Sequence, residues 1–225
     1  MFGIRWLLLV CTCSLVTACG QTATSATTAA PQPVPSSSAV PTTRTTTSPP
    51  VDRAVASQRA LAALAPEDGL AALGAWPPPV TEQQKIWALT EMCGGVAAGD
   101  YLTKSRRWET GGVGVYDTAY VYEQANGAEV VGKVRATAAS CDQYRGSDGK
   151  AYVVYPDLPI DQPAGLSDSY AWCEGVDGDG FLCSALLARA DVVVKITTAG
   201  HGERTYFVDA LNSVIGIAAA PLLTL

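Results

Sequence analysis

SYAWCEGVDGDGFLCSALLARADVVVKITT, running from Ser169 to Thr198, is the stretch on which the fold turns. Cys173 and Cys183 are equidistant from Gly178. A hairpin turning at Asp177-Gly178-Asp179 therefore sets them directly opposite one another, within the separation a disulfide spans. Val192-Val193-Val194 is a β-branched apolar run that belongs in a buried strand. The stretch predicts three antiparallel strands, over about 169–176, 181–188 and 192–198, turning at Gly178 and near Ala190-Asp191. In that register Cys173, Cys183, Ala185, Leu187, Val194 and Ile196 share one face. Tyr170, Trp172, Ser184, Leu186 and Lys195 share the other.

Outward from this core, Gly202-Glu203 leads into a last helix whose Phe207, Leu211, Val214 and Ala218 form an apolar stripe. On the N-terminal side, residues 151–155 read as a short strand. Asn126 opens a helix to about Tyr144, with Glu129 placed to reach back to the cap. Residues 101–108 and 113–124 read as two strands joined at Gly111-Gly112. In the second of these, Val113, Val115, Ala119 and Val121 alternate with Tyr116, Thr118, Tyr120 and Tyr122, giving one aliphatic and one tyrosine-rich face. Thr81-Glu-Gln-Gln84 has the form of a capping box opening a helix to about Cys93, stopped by Gly94-Gly95. Residues 52–65 predict a helix bearing Val55, Leu61 and Leu64 among alanines, interrupted by Pro66; a helical turn at 67–73 and an extended 76–79 follow. The order implies an α+β domain, an antiparallel β-sheet with helices packed on one face.

The first 18 residues have the form of an export signal: Arg5, then an apolar run from Trp6 to Val16, too short to span a bilayer. Val16-Thr17-Ala18-Cys19-Gly20 resembles the bacterial lipobox, in which the cysteine is diacylated, and two acyl chains on Cys19 give the double anchor that stable membrane attachment requires. From Gln21 to Pro50, 20 of 30 residues are Ser, Thr or Pro and the only charge is Arg44. Such a chain has nothing apolar to bury and forms a solvated stalk of roughly 30 Å end to end. The expected organisation is a signal over 1–18, a lipidated cysteine and stalk over 19–51, and one folded domain over 52–225, held at the extracytoplasmic face of the cell membrane. Of the 15 basic residues Arg5 leaves with the signal, so 14 basic face 21 acidic side chains, a formal net charge of −7. That balance argues against nucleic acid and against electrostatic adhesion to anionic lipid.

Cys11 and Cys13 leave with the signal and Cys19 is committed to lipid, which leaves Cys93, Cys141, Cys173 and Cys183. An even set in an exported chain reads as two disulfides. Cys173 with Cys183 follows from the hairpin. Cys93 shares a predicted helical face with Ile86 and Leu89, and Cys141 one with Val130, Val134 and Ala138, so the second bridge is expected to join two apolar helix faces. No C-x-x-C pair occurs, and a zinc site is not expected.

The run from Trp172 to the C-terminus, above all Phe181-Leu-Cys-Ser-Ala-Leu-Leu-Ala-Arg-Ala-Asp-Val-Val-Val-Lys-Ile196 with the Ala/Ile/Val helix after it, resembles the PknH-like extracellular sensor domain of actinobacteria. The resemblance covers roughly residues 91–220. Where members of that family often carry a cysteine after the valine strand, this chain has Thr198-Ala199. The resemblance implies a non-catalytic domain that binds an extracellular ligand in a cleft. That family occurs on receptor kinases and as stand-alone lipoproteins, and with no kinase domain or transmembrane helix in the sequence any signal is expected to pass to a partner.

The face bearing Tyr116, Tyr120, Tyr122, Tyr170, Trp172 and Lys195 is the candidate ligand-binding surface, since exposed aromatics stack on sugars and flat ligands and recur in protein interfaces. The competing expectation is a second core layer. His201, the only histidine, sits in a loop where solvation is the common outcome. Asp177-Gly-Asp-Gly180 and Gly111-Gly-Val-Gly114 read as turns rather than calcium or phosphate loops. No catalytic residue and no cofactor is expected. An envelope hydrolase acting on glycans or lipids through a carboxylate pair is the alternative, because such pairs have no fixed spacing. A structural accessory subunit of an envelope complex is the third possibility.

Overall fold

The computed structural model of the chain describes residues 52–75, 81–83, 89–96, 101–176 and 180–225. The expected signal, Cys19, the stalk, residues 76–79 and the turn at 177–179 lie outside the described residues. The elements are α1 (Arg53–Ala63), β1 (Thr81–Gln83), β2 (Tyr101–Thr110), β3 (Val113–Tyr122), α2 (Gly127–Ala139), β4 (Gln143–Arg145), β5 (Ala151–Tyr155), β6 (Asp168–Val176), β7 (Gly180–Arg189), β8 (Val192–Gly200) and α3 (Arg204–Leu222). The strands form one sheet in the order β1-β2-β3-β8-β7-β6-β5-β4, with antiparallel pairing throughout. This is the expected α+β class.

The hairpin register is the one the cysteine spacing predicts. Cys173 pairs with Cys183 and Val176 with Gly180, so β6 and β7 turn about Gly178. Arg189 pairs with Val192, leaving Ala190 and Asp191 as a two-residue turn with Ala190 at a φ of 52°. Val192, Val193 and Val194 are fully buried, because β8 lies inside the sheet and both its faces are covered.

The placement of the helices differs from expectation: they lie on both faces. On the first face α1 and α3 pack over Val113, Val115, Ala119, Cys173, Cys183 and Ile196. On the second, α2 presses Val130, Val131, Val134 and Ala138 onto Tyr120, Tyr122, Tyr170, Trp172, Leu186 and Val193. The physical reason is the size of that second set. Large apolar side chains on both sides of a sheet need a cover on both sides.

Each helix is set by its own sequence. Asp52 caps α1 by accepting the Ala54 N–H at 2.8 Å, and Asn126 caps α2 by accepting the Ala128 N–H at 2.9 Å. The side of α1 that is buried is Ala56, Ala60 and Ala63, while Val55 and Leu61 are about half exposed. Small side chains let the helix approach the sheet closely, and Arg59 anchors it with two bonds of 2.6 and 2.5 Å to the Asp191 carboxylate at the β7–β8 turn. In α3 the expected stripe of Phe207, Leu211, Val214 and Ala218 is buried, joined by Ile215, Ala219 and Leu222. This helix is long and apolar enough to cross a membrane by length and composition, but its stripe packs on β7 and β8 as a core helix does.

Three local expectations fail. Thr81–Gln83 is an edge strand paired with Thr103–Ser105, not the start of a helix, because the free edge of β2 supplies a ladder that the capping-box pattern cannot foresee. Cys93 sits in a short 3-10 turn at a φ of 43°, between Met92 and two glycines in left-handed or extended positive-φ geometry. Likewise α2 stops at Ala139 with Ser140 closing it, and Gln143–Arg145 turns away as β4.

One charged pair is built into the first-face core. Arg106 and Asp117 are cross-strand partners, 8 % and 1 % exposed. The Arg106 guanidinium donates to the Ala65 carbonyl while Asp117 Oδ2 accepts the Ala65 N–H at 2.7 Å, so the pair clamps the chain leaving α1. Asp117 Oδ1 has no hydrogen-bond partner among the described residues. Burial outweighs the Ala65 bond and the Arg106 charge and pushes the Asp117 carboxyl up to about 7. A carboxyl whose folded pKa exceeds its unfolded value holds its proton more tightly in the fold. Its contribution to stability is fully present below the unfolded carboxyl's pKa of about 4, is lost as pH rises from there to about 7, and stays constant above that value. Melting temperature should therefore fall from pH 5 to about pH 7 and level off by pH 8, and Asp117→Asn should flatten the fall by roughly 1–3 kcal/mol. Circular dichroism melts at pH 5, 6, 7 and 8 check this; parallel declines in both proteins remove Asp117 as the cause.

Candidate functional site

α2 divides the fate of the predicted aromatic face. Tyr120, Tyr122, Tyr170 and Trp172 are 7 %, 2 %, 5 % and 0 % exposed, so they form a second core layer rather than an open stacking surface. Tyr120 stacks with Tyr122 at 6.5 Å and Tyr170 with Trp172 at 5.8 Å between ring centroids. The Arg135 guanidinium, held by Asp168 at 2.7 Å, covers the Tyr170 ring. Tyr116 stays half-buried and apart, under the Arg107 guanidinium 5.1 Å from its centroid, beside a hollow of about 450 Å³ at the β2–β3 turn. His201 is exposed.

Lys195 is the exception. It lies half-buried with its ammonium 5.4 Å from the centre of the Trp172 ring, donating to the Leu89 carbonyl at 2.9 Å. Burial lowers its pKa, against the raising influence of Glu174 and Glu91. Its side chain enters a cavity of about 330 Å³.

Three pieces of chain make this cavity. Its floor is the sheet, with Glu174, Leu182 and Lys195. One wall is the 89–96 segment, contributing Leu89, Thr90 and Glu91; the other is the β4–β5 hairpin, contributing Tyr144, Ser147, Asp148 and Tyr152. Tyr144 and Tyr152 are cross-strand partners and stack at 4.9 Å with 12° between planes. The Tyr144 hydroxyl donates to Glu174 Oε1 at 2.7 Å; burial first and the Glu174 charge second raise its pKa. Glu91 accepts from the Ser147 N–H at 2.9 Å and the Ser147 hydroxyl at 2.7 Å, closing one wall against the other. Asp148 accepts from the Lys150 N–H at 3.0 Å and the Tyr152 hydroxyl at 2.9 Å. The first of these lowers the Asp148 pKa, while burial pushes the Tyr152 hydroxyl up to about 12.

A disulfide holds the wall in place. Cys93 and Cys141 are bonded, 5.9 Å apart between Cα atoms, tying the 89–96 segment to the chain just beyond α2. The expected pairing is present, but it joins a 3-10 turn to a post-helical residue, not two helix faces. Cys173–Cys183 spans β6 and β7 in the first-face core.

Sequence reasoning named Lys195 and missed Glu91, Tyr144, Ser147, Asp148, Tyr152 and Glu174. For Glu174 a signal existed: it alternates with Trp172 and Tyr170 on one face. Tyr144 was hidden by the expectation that α2 continues through it. Among the described residues, no group of three His, Cys, Asp or Glu side chains is placed to hold a metal ion.

No protein-family model and no curated protein matches the chain. Among solved structures, the extracellular domain of PknH from Mycobacterium tuberculosis aligns with 12 % identity and a TM-score of 0.44, over 78 % of this chain and 96 % of that one. A protein of Mycobacterium smegmatis described as an Rv0999 ortholog aligns with 11 % identity and a TM-score of 0.35, over 68 % of this chain and 97 % of that one.

The two disulfides differ in access. Cys93 is exposed, whereas Cys173 and Cys183 are fully buried. Graded reduction of the native protein should open Cys93–Cys141 first. Alkylation and peptide mapping check the order. By loop entropy, losing that bridge through Cys93→Ala with Cys141→Ala costs about 4 kcal/mol in urea unfolding, against about 3 kcal/mol of entropic stabilisation from the hairpin bridge.

Proposed function

We propose that this chain is a lipid-anchored domain at the extracytoplasmic face of the cell membrane that binds a small ligand without catalysis, handing any signal to a partner protein. The observation that carries the binding half is the 330 Å³ cavity, of the size that small-molecule sites occupy, with an aromatic wall, a buried carboxylate and a lysine converging on it. The anchoring half rests on the signal-like first 18 residues, the Val16-Thr-Ala-Cys19 pattern and the stalk. Two disulfides fit an oxidising compartment.

A hydrolase is the second reading, favoured by the presence of Glu91, Asp148 and Glu174 around one cavity. Against it, the Glu91 and Asp148 carboxylates are already engaged in holding Ser147, Lys150 and Tyr152. A carboxylate pair that must attack substrate or move its protons needs free oxygens on both members. Release of product from cell-wall glycan or lipid by the wild-type protein, lost in Glu174→Gln, would replace the binding reading with this one.

Mass spectrometry of the protein isolated from membranes should show a mature N-terminus at Cys19 carrying two acyl chains on its sulfur-linked glycerol. Cys19→Ala should move the protein to the soluble fraction. A mature form that begins elsewhere or lacks acyl groups overturns the anchor.

A further inference from the structure

We infer that the cavity over Lys195 and Glu174 selects a small molecule bearing an ammonium group; this rests on the binding function proposed above and assigns its ligand class. Glu174 is 7 % exposed, lies on the cavity floor, and uses only Oε1, which accepts from Tyr144. Its second oxygen takes no hydrogen bond from the described residues. A carboxylate oxygen on the cavity floor without a donor from the described residues is an open acceptor, strongest toward a charged donor.

The charges around it point the same way. Glu91 and Asp148 stand at the rim, and Glu174 on the floor, against Lys195, the single cation among the described lining residues. That cation is engaged elsewhere: its ammonium bonds the Leu89 carbonyl and lies on the face of Trp172, and it makes no ion pair with Glu174 among the described residues. The described lining is therefore left with a surplus of negative charge and one open acceptor oxygen, beside the stacked rings of Tyr144 and Tyr152. An ammonium donor on a compact ring or chain meets all three: the Glu174 oxygen, the negative rim and the aromatic wall. An anionic ligand meets repulsion from three carboxylates, and a neutral one leaves the surplus charge unmatched.

Three methyl glycosides of one size test this on the full chain in detergent: methyl glucosaminide, methyl glucoside and methyl glucuronide. Their blocked anomeric carbons keep any aldehyde from Lys195. Calorimetry measures affinity, and amide chemical shifts of Glu174, Tyr152 and Lys195 locate the probe. The expected result is that the glucosaminide alone perturbs those residues, binding at least tenfold more tightly than the other two. Glu174→Gln, which keeps an acceptor for Tyr144, should weaken it at least tenfold, while Lys195→Met, which removes the competing cation, should strengthen it. A loss of affinity in both variants overturns the assignment. Neutral or acidic glycoside binding as tightly at the same residues overturns the charge selection and leaves the cavity as a binding site. No perturbation by any probe overturns both.

Discussion

From Cys183 to Ala188, β7 is buried on both faces with β6 and β8 bonded along its two edges, and the other elements are placed by the need to cover those faces. The cross-strand pair Cys173–Cys183 fixes the register. A slip of one residue would turn every side chain of the hairpin to the opposite face. With the register held, Ala185, Leu187, Val194 and Ile196 point to α1 and α3, while Leu186, Trp172 and Val193 point to α2. β1 and β4, at the sheet edges, are three residues each, short enough to limit edge pairing with other chains.

The two faces are covered unequally, and the difference makes room for a site. On the first face α1 and α3 bury a continuous aliphatic layer. On the second, the short α2 seals Tyr120, Tyr122, Tyr170 and Trp172 but leaves the sheet around Glu174, Leu182 and Lys195 to be walled by the 89–96 segment and the β4–β5 hairpin. Neither wall is a helix. Each is held by a few specific bonds: Cys93–Cys141, Glu91 to Ser147, Tyr144 to Glu174 and Lys195 to Leu89. Small-residue packing and polar clamping thus do different jobs in one domain. α1 is joined to the sheet by Arg59 with Asp191 from its middle and by Arg106 and Asp117 just beyond its C-terminal end.

Most of the sheet was legible in the residues. Alternation in β3, the cysteine symmetry of the β6–β7 hairpin, the valine run of β8 and the apolar stripe of α3 are local patterns whose periods match the structures they adopt. β1 and the Cys93 turn were not legible. One depends on a partner edge some twenty residues away in sequence, and the other on a disulfide and two glycines that override the helical pattern. The candidate site shows the same division. Lys195 was identified as facing away from the cysteines, but its neighbours Glu91 and Tyr144 come from stretches with no periodic signal toward it.

The sequence by itself determined the central strands, the Cys173–Cys183 pairing and which side chains of those strands share a face, because each follows from spacing along the chain. Only the tertiary structure decided that the tyrosine-rich face is mostly core and that an opening survives over Lys195. Exposure depends on which element lands on a face and how far it reaches. α2, thirteen residues long, covers the paired rings and contributes no residue to the lining around Glu174.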